Sequence, residues 1–262
     1  MSAIVEFRGV GYSVPRTEGS TSVLRDLSFT VNSGEILVLL GRSGSGKTTA
    51  LKMVNRLLAP TSGEVLVEGT STTAWDPIRL RRRIGYVIQE TGLFPHFTVA
   101  ENIGLVPKLE GWDSVRISAR VRELLERIDL APDEFAHRYP RELSGGQRQR
   151  VGVARALAAD PPVLLFDEPF GALDPVTRVD LQRQFLALRR TFQKTSIFVT
   201  HDVREALMLA NRVGLMRGGR LEMLASPEEF LEARGDEARA FLACLDWKLE
   251  NSANTEQDAR PR

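Results

Sequence analysis

The sequence predicts an α/β fold that carries an antiparallel β layer near its N-terminus and a helical subdomain inserted into its core. Compact apolar runs followed by polar turns are typical of buried parallel strands with helices on both faces. Such runs occupy residues 36–40, 84–88, 163–166 and 196–200. Shorter alternating segments separated by Gly, Ser and Pro are typical of an antiparallel layer. These segments occupy residues 4–7, 27–31 and 64–68.

Helical patterns lie between the predicted strands. A helix over residues 48–58 follows the first buried strand. In the middle of the chain, Val121, Leu124, Leu125 and Ile128 have the spacing that places side chains on one face of a helix. These four apolar residues therefore predict a helix that packs on the rest of the protein.

The middle of the chain shows no clear buried strand between residues 91 and 160. We therefore expect one domain, 1–245, whose α/β core comprises 1–90 and 161–245 and whose helical subdomain comprises 91–160. The remaining residues, 246–262, form a polar tail. We expect this tail to be disordered, because the segment from residue 251 onward lacks large apolar residues.

Composition excludes several classes of function. Thirty-five Lys and Arg residues nearly balance 34 Asp and Glu residues, so the net charge of +1 gives no reason to expect a nucleic-acid partner. The arginine cluster at residues 79–83 is accordingly interpreted as a solvated face. The single cysteine, Cys244, excludes an internal disulfide and fits a reducing compartment. The N-terminus does not have the pattern of a signal peptide, and no apolar run approaches the ~20 residues of a membrane-spanning helix, so a membrane link would require a protein partner.

The strongest single motif is Gly-Arg-Ser-Gly-Ser-Gly-Lys-Thr at residues 41–48, between a predicted strand and a predicted helix. Its glycines allow backbone N–H groups to surround phosphates at the positive end of a helix. Lys47 is expected to reach the β- and γ-phosphates, and the Thr48 hydroxyl to bind Mg²⁺. An accidental Gly- and Ser-rich turn is the alternative. The residues predicted to contact a nucleotide here are Gly41, Ser43, Gly44, Gly46, Lys47, Thr48 and Thr49.

A second motif closes the buried strand at residues 163–166 with two adjacent carboxylates, Asp167 and Glu168. Because the chain turns at the end of the strand, the two side chains can take different roles. Asp167 is expected to hold Mg²⁺, and Glu168 to polarise the water that attacks the phosphate. A solvated acidic turn is the alternative, but the position downstream of the phosphate-binding motif favours catalysis.

A third motif, Leu-Ser-Gly-Gly-Gln, occupies residues 143–147. Ser144 and Gln147 have the spacing of a capping box, so a well-capped helix start is one interpretation. That interpretation does not explain the adjacent Gly145 and Gly146. Two glycines cost helix stability, but they leave N–H groups that a phosphate can approach at the positive end of a helix.

Placed shortly before the acidic strand, this third motif resembles the signature of ABC ATPases, and the resemblance extends over residues 4–244. It implies a P-loop NTPase fold of the ABC type and hydrolysis of ATP with Mg²⁺. It also implies a head-to-tail homodimer, in which Ser144 and Gly146 of one chain complete the γ-phosphate site of the other. By the same resemblance, Tyr12 corresponds to the aromatic that stacks on adenine, Gln89 to the glutamine that senses Mg²⁺ and water, Ala172-Leu173-Asp174 to the D-loop, and His201 to the switch histidine.

Several of these residues have a structural alternative. Tyr12 could be a surface aromatic at a strand edge, although the segment up to residue 22 is predicted to be loop-like. Gln89 follows the strand at 84–88 and would join the core to the helical subdomain. A lone histidine is more often structural than catalytic, but His201 follows the strand at 196–200, whose end would bring it to the phosphates.

Residues 51–63, 83–103 and 106–112 are similar to the ATPases of bacterial importers for osmoprotectants such as glycine betaine, choline and related quaternary amines. The resemblance implies membrane permease subunits, docked against residues 91–103, and a periplasmic or lipid-anchored substrate-binding protein that acts through the permease. The chain would lie peripherally on the cytoplasmic face of the cell membrane. Several ATPases of this group carry paired CBS domains after the motor, near the point where this sequence ends, and we expect no regulation by such domains.

Other functions stay open at this point. An importer of another small solute, such as an amino acid or a polyamine, would share fragments of these stretches. A non-transport ABC ATPase would usually contain two motors in tandem or a long coiled-coil insertion, and the sequence shows neither. A nucleotide-binding regulator that does not hydrolyse would be expected to lack Glu168 or His201, and both are present.

Overall fold

The computed structural model describes residues 2–15, 17, 19–89, 92–171, 173–192 and 194–245. Its strands are β1 (Ala3–Pro15), β2 (Ser20–Asn32), β3 (Ile36–Leu40), β4 (Ser62–Val67), β5 (Thr70–Ser71), β6 (Ile84–Val87), β7 (Val163–Asp167), β8 (Thr195–Thr200), β9 (Arg212–Arg217) and β10 (Arg220–Ala225). Its helices are α1 (Lys47–Val54), α2 (Pro77–Arg82), α3 (Val99–Leu109), α4 (Ser114–Arg127), α5 (Pro132–Phe135), α6 (Gly145–Leu157), α7 (Pro175–Phe192), α8 (Val203–Leu209) and α9 (Pro227–Leu231), with a 3₁₀ turn at Pro140–Glu142 and a further helix over 236–245. Within this described part, no helix has both the length and the apolar character needed to cross a bilayer. The predicted tail at 246–262, Thr91 and Ala172 lie outside the described residues.

The core of the fold is a six-stranded sheet in the order β10-β9-β3-β8-β7-β6. Strands β9, β3, β8, β7 and β6 pair in parallel, and β10 runs antiparallel in a hairpin with β9. The four runs predicted as buried parallel strands correspond to β3, β6, β7 and β8, so the predicted α/β class is confirmed. The β9–β10 hairpin extends the sheet at one edge, and the sequence patterns did not predict it.

The parallel strands are predominantly apolar because a separate hydrophobic core covers each face of the sheet. Ile36, Val38 and Leu40 of β3 pack in one core, whereas Leu37 and Leu39 pack in the other. All five residues are at most 2% exposed. Side chains alternate between the two faces along a strand, so burial on both faces requires an unbroken apolar run. Charged groups on these strands are therefore confined to the strand ends.

Helices α3, α4 and α6 pack in the core on one face of the sheet. The predicted helical face is confirmed, because Val121, Leu124, Leu125 and Ile128 are all at most 6% exposed and belong to this core. Between β6 and β7 the described residues form helices and turns, without a strand. The last of these helices, α6, packs directly against β6, so the helical segment is anchored on the sheet.

The antiparallel sheet covers the other face, and α1 packs between the two sheets. Its strand order is β2-β1-β4-β5, which confirms the predicted antiparallel layer. Strands β1 and β2 are longer than predicted, and Tyr12 pairs with Leu24 within their hairpin. The prediction that the segment around Tyr12 is loop-like was therefore wrong. Pairing along the hairpin and packing on the core outweigh the low strand propensity of its glycines and serines.

The contact between β6 and α6 provides a test of this packing. A Cβ atom at Gly85 would lie 2.4 Å from the backbone oxygen of Ala156. Because the helix backbone cannot rotate away as a side chain can, we expect Gly85→Ala to lower the free energy of unfolding by about 1–3 kcal/mol, measured by denaturant unfolding. Gly235→Ala is the matched control, since a Cβ there would meet no atom within 4 Å. Equal stability of the two variants would contradict the packing argument.

Candidate nucleotide-binding site

The candidate site is built on the turn between β3 and α1, which contains the residues predicted to contact ATP at positions 41–49. Gly46 is the N-cap of α1 and has a φ of 100°, in the left-handed region that other residues rarely adopt. A Cβ atom at this position would also lie 2.6 Å from Leu24 Cδ2. Glycine is therefore required here, and α1 begins immediately afterwards at Lys47. The unpaired N–H groups of its first turn give this turn a positive potential.

The Lys47 ammonium lies inside the turn. Its Nζ donates hydrogen bonds to the carbonyl oxygens of Gly41 at 2.8 Å and of Arg42 at 2.9 Å, and the residue is 4% exposed. Burial lowers the pKa of Lys47, while the carboxylates of Glu168 and Asp167 oppose that shift. The turn thus combines an ammonium group with backbone N–H groups, an arrangement that suits the phosphates of a nucleotide.

Asp167 ends β7 and accepts hydrogen bonds through both carboxylate oxygens. Its Oδ1 accepts from the Thr48 hydroxyl at 2.7 Å, and its Oδ2 accepts from the Tyr86 hydroxyl at 3.1 Å. Burial and the adjacent charge of Asp167 raise the pKa of Tyr86 well above its usual value, so the phenol keeps its proton and acts as the donor. The Thr48–Asp167 hydrogen bond connects the phosphate-binding turn to the end of β7.

Glu168 follows Asp167 directly but has a different partner. Its φ is 45°, in the left-handed region, where a residue other than glycine costs about 1–2 kcal/mol. The Glu168 N–H donates to the carbonyl oxygen of Val199 in β8 at 3.0 Å. Beyond this bond the chain turns, and Glu168 Oε2 lies 3.1 Å from His201 Nδ1. The turn therefore separates the two adjacent carboxylates and brings the second one to the histidine that follows β8.

Gln89 lies just beyond the end of β6 and is exposed. A Cβ atom built on Gly171 would lie 3.5 Å from Gln89 Nε2 and 3.6 Å from Glu168 Oε2, so both side chains approach the same point. The structure therefore brings Gln89, Glu168 and His201 together beyond the carboxyl ends of β6, β7 and β8. Ligands of open α/β sheets bind at this edge.

The residues of the 143–147 motif share no hydrogen bond or ion pair with this cluster among the described residues. Ser144 Oγ accepts from the Gln147 N–H at 3.2 Å, and Gln147 Oε1 accepts from the Ser144 N–H at 2.9 Å, which forms the predicted capping box. A Cβ atom on Gly146 would lie 2.4 Å from Thr177 Cγ2 of α7, whereas one on Gly145 would have its nearest neighbour at 3.9 Å. Packing within one chain therefore explains why residue 146 is glycine. It gives no steric reason for glycine at residue 145.

Asp174 and Tyr12 occupy separate positions. Asp174 directly precedes α7, and its Oδ1 accepts from the Thr177 N–H at 3.0 Å. Hydrogen bonds from Thr177 lower the pKa of Asp174, so the carboxylate is charged at neutral pH.

Tyr12 is partly buried in β1 and pairs with Leu24, whose side chain lies close to Gly46. The hairpin thus places Tyr12 one strand away from the phosphate-binding turn.

Three polar contacts near the site involve residues that the motifs did not identify. Tyr86 donates to Asp167, as described above. Glu237, on the helix over 236–245, accepts from Arg42 Nε at 2.7 Å. Glu205 of α8 is buried, accepts from the Thr200 hydroxyl at 2.5 Å, and has its pKa raised by burial. For Tyr86 the available signal was a polar group within a predicted buried strand, but its partner could not be identified without the strand order.

The donor set fits Mg²⁺ together with a nucleoside triphosphate. Mg²⁺ prefers oxygen ligands and is usually held by one or two protein groups in combination with phosphates and water. The Thr48 hydroxyl and the Asp167 carboxylate are adjacent oxygen ligands of this kind. Within the described ranges, no group of three or more His, Cys, Asp or Glu side chains is arranged to hold a metal ion. Because Thr48 and Asp167 offer two adjacent oxygen ligands, the site suits a metal ion that shares its coordination with bound phosphates.

Curated relatives of the chain are ATP-binding proteins of transport systems. The chain is 53% identical over 212 residues to the osmoprotectant import ATP-binding protein OsmV of Salmonella typhimurium strain LT2, which covers 81% of this chain and 56% of that protein. It is 49% identical over 220 residues to the glycine betaine/carnitine/choline transport ATP-binding protein OpuCA of Bacillus subtilis strain 168, with coverage of 84% and 58%. The chain thus spans little more than half the length of these relatives.

A solved structure and a family model give the same assignment. The dimeric structure of a post-hydrolysis state of the ATP-binding cassette MJ0796 bound to ADP and Pi matches with a TM-score of 0.76 and 32% identity, covering 88% of this chain and 99% of that one. The family model described as ABC transporter matches residues 24–171. The matched range is more than half of the chain and includes the phosphate-binding turn, the 143–147 motif and both carboxylates after β7. The chain therefore belongs to the ABC transporter family and has the ABC ATPase fold.

Proposed function

We propose that this chain is the ATP-hydrolysing subunit of an importer for a quaternary-amine osmoprotectant such as glycine betaine or choline. Hydrolysis is supported by the convergence of Lys47, the Thr48–Asp167 pair and the Glu168–His201 pair at the carboxyl ends of β3, β7 and β8. The assignment of the solute is supported by about 50% sequence identity to proteins named for osmoprotectant import and for glycine betaine, carnitine and choline transport. An importer of another small solute stays the alternative.

ATP binds with its phosphates in the turn between β3 and α1. Lys47 exchanges its hydrogen bonds to the carbonyls of Gly41 and Arg42 for bonds to phosphate oxygens. N–H groups of the first turn of α1 donate to the same phosphates. Thr48 and Asp167 would hold Mg²⁺, which neutralises charge on the phosphates when it is bound. Tyr12 would stack on the adenine ring, and its pairing with Leu24, whose side chain lies close to Gly46, supports this role.

Hydrolysis depends on the residues beyond β7 and β8. Glu168 orients and polarises the attacking water and receives its proton. His201 fixes the Glu168 carboxylate through the 3.1 Å contact between its Nδ1 and Glu168 Oε2. The Gln89 side chain, which approaches the same point, would contact the attacking water and the Mg²⁺ ion. The activation free energy is lowered because these groups are already oriented before the reaction, so little free energy is spent on reorienting them.

The site is completed by a second copy of the chain. One chain has the 143–147 motif at the N-terminus of α6, without a hydrogen bond to its own phosphate-binding turn among the described residues. In a head-to-tail homodimer, Ser144 of the partner subunit and Gly146 of the partner subunit would contact the γ-phosphate. The MJ0796 cassette, which is dimeric, supports a dimer of this chain by analogy. ATP would therefore close the dimer, and product release would reopen it.

The helical segment provides the proposed contact with the permease. A cavity of about 680 Å³ lies among α3, α4 and α5, and its lining includes Phe97 and Ala100 from the range predicted to dock the permease. We propose that a cytoplasmic helix of the permease occupies this cavity, so that the chain lies peripherally on the cytoplasmic face of the membrane. A substrate-binding protein would act through the permease, and nucleic acid is not proposed as a partner.

Glu168→Gln tests the catalytic assignment. The substitution keeps the shape of the side chain but removes the base, so we expect ATP binding to persist and phosphate release to fall at least ~100-fold. Gel filtration with ATP should then show an accumulated dimer. Glu232→Gln, which removes an exposed carboxylate at the end of α9, is the matched control and should behave as wild type. Hydrolysis by Glu168→Gln at the wild-type rate would remove Glu168 from its role.

Uptake of labelled solutes tests the transport assignment. In cells that lack this chain but retain the permease and the binding protein, we expect the wild type to restore uptake of glycine betaine or choline. Lys47→Ala should not restore it, whereas Lys52→Ala, which removes a charge farther along α1, should. Restoration of amino-acid or polyamine uptake instead would reassign the solute. Quaternary-amine uptake that never depends on the chain would contradict the proposal.

A further inference from the structure

Tyr86 is the one hydroxyl-bearing residue of β6, and its phenol group is directed at the carboxylate that ends β7. Its hydroxyl donates to Asp167 Oδ2 at 3.1 Å. Thr48 donates to the other oxygen, Oδ1, at 2.7 Å. Among the described residues these are the hydrogen bonds made by the Asp167 side chain, and one donor holds each oxygen. The carboxylate therefore cannot rotate without breaking both hydrogen bonds.

Strand register explains why Tyr86 reaches this carboxylate. Tyr86 is paired with Leu165 in the parallel β6–β7 ladder. Asp167 lies two residues beyond Leu165 and so projects from the same face of the sheet. Long side chains reach a diagonal neighbour of this kind. The same face carries the core into which α1 packs, and α1 holds Thr48. The position of the hydroxyl is thus a consequence of pairing and alternation.

We propose that Tyr86 is a positioning residue for the metal-binding carboxylate, because its hydroxyl holds Asp167 Oδ2 and thereby presents Oδ1 on the side of Thr48. This inference rests on the proposed function, in which Thr48 and Asp167 hold Mg²⁺. The two donors then differ in role. The Thr48 hydroxyl can bind the metal through a lone pair of its oxygen while its hydrogen still bonds Asp167 Oδ1, whereas the Tyr86 hydroxyl lies on the opposite oxygen and only orients the carboxylate. Groups that orient a metal ligand in this way typically change metal affinity about tenfold or more when removed.

A structural role for Tyr86 makes a different prediction. If the hydroxyl only satisfies its own need for a partner in a partly buried site, its loss should change thermal stability and leave metal binding unaltered. If the hydroxyl orients Asp167, its loss should weaken binding of the metal and leave binding of metal-free nucleotide unaltered. In either case, Lys47 and the N–H groups of the turn bind the phosphates without the metal. Metal dependence therefore separates the two roles.

The experiment uses the full chain and a fluorescent ATP analogue carrying a methylanthraniloyl group. Its affinity is measured in EDTA and at increasing Mg²⁺, and bound Mn²⁺ is counted separately by electron paramagnetic resonance. For Tyr86→Phe, which keeps the ring, we expect the Mg²⁺ concentration for half-maximal enhancement, and the Mn²⁺ dissociation constant, to rise about tenfold. Affinity in EDTA should stay within about twofold of wild type.

Three further variants complete the design. Tyr139→Phe also removes a phenol, from an exposed residue that the hydrogen bonds of the site do not include, and should leave metal dependence unchanged. Asp167→Asn should weaken metal binding by itself, and adding Tyr86→Phe in that background should have little further effect, because the hydroxyl acts through Asp167.

Each outcome decides between the possibilities. Unchanged Mg²⁺ and Mn²⁺ dependence in Tyr86→Phe would overturn the positioning role, whatever the change in melting temperature. An equal loss of affinity with and without metal would also overturn it, since the effect would then be structural. Wild-type protein that binds the analogue without any metal dependence would instead remove the metal site from the proposed function.

Discussion

Burial of the parallel strands on both faces is the constraint on which the rest of the structure depends. With apolar cores on both sides, β3, β7 and β8 can carry charge only at their ends. Parallel pairing then aligns those ends, as Leu40 lies beside Thr200 and Asp167 beside Val199. The phosphate-binding turn, the two carboxylates and His201 therefore meet at one edge of the sheet. Strand register, and not closeness in the sequence, brings these residues together.

Local strain at this edge has an identifiable function. Glu168 adopts a left-handed backbone conformation although it is not glycine. Its N–H bonds Val199, and its carbonyl oxygen accepts from the Gly171 N–H at 3.1 Å, so hydrogen bonds on both sides hold the turn. Without this turn, Glu168 would continue the strand and project from the face opposite to Asp167, among apolar side chains. The strain is thus the structural reason that consecutive carboxylates serve separate partners.

Hydrogen bonds and opposite charges within the single chain hold the charged groups of the site in position. The buried Lys47 ammonium is held by carbonyl oxygens and stabilised by the two carboxylates that follow β7. Asp167 is held by Thr48 of α1 and by Tyr86 of β6. A set of groups ordered in this way can bind phosphate and metal without a large cost of reorganisation, which is the general basis of electrostatic catalysis. The helix over 236–245 adds a contact between Glu237 and Arg42 of the turn.

The sequence by itself determined the α/β class, the four buried strands, the helical face around Leu124 and the motif of the phosphate-binding turn. These features are local, because the composition and the spacing of neighbouring residues specify them. Tertiary structure alone decided that Tyr12 lies in a long hairpin, that β9 and β10 extend the sheet, and that Tyr86 meets Asp167. Each of these depends on pairing between distant segments, in which cross-strand contacts outweigh local propensity, and a single sequence does not encode strand order as a visible pattern.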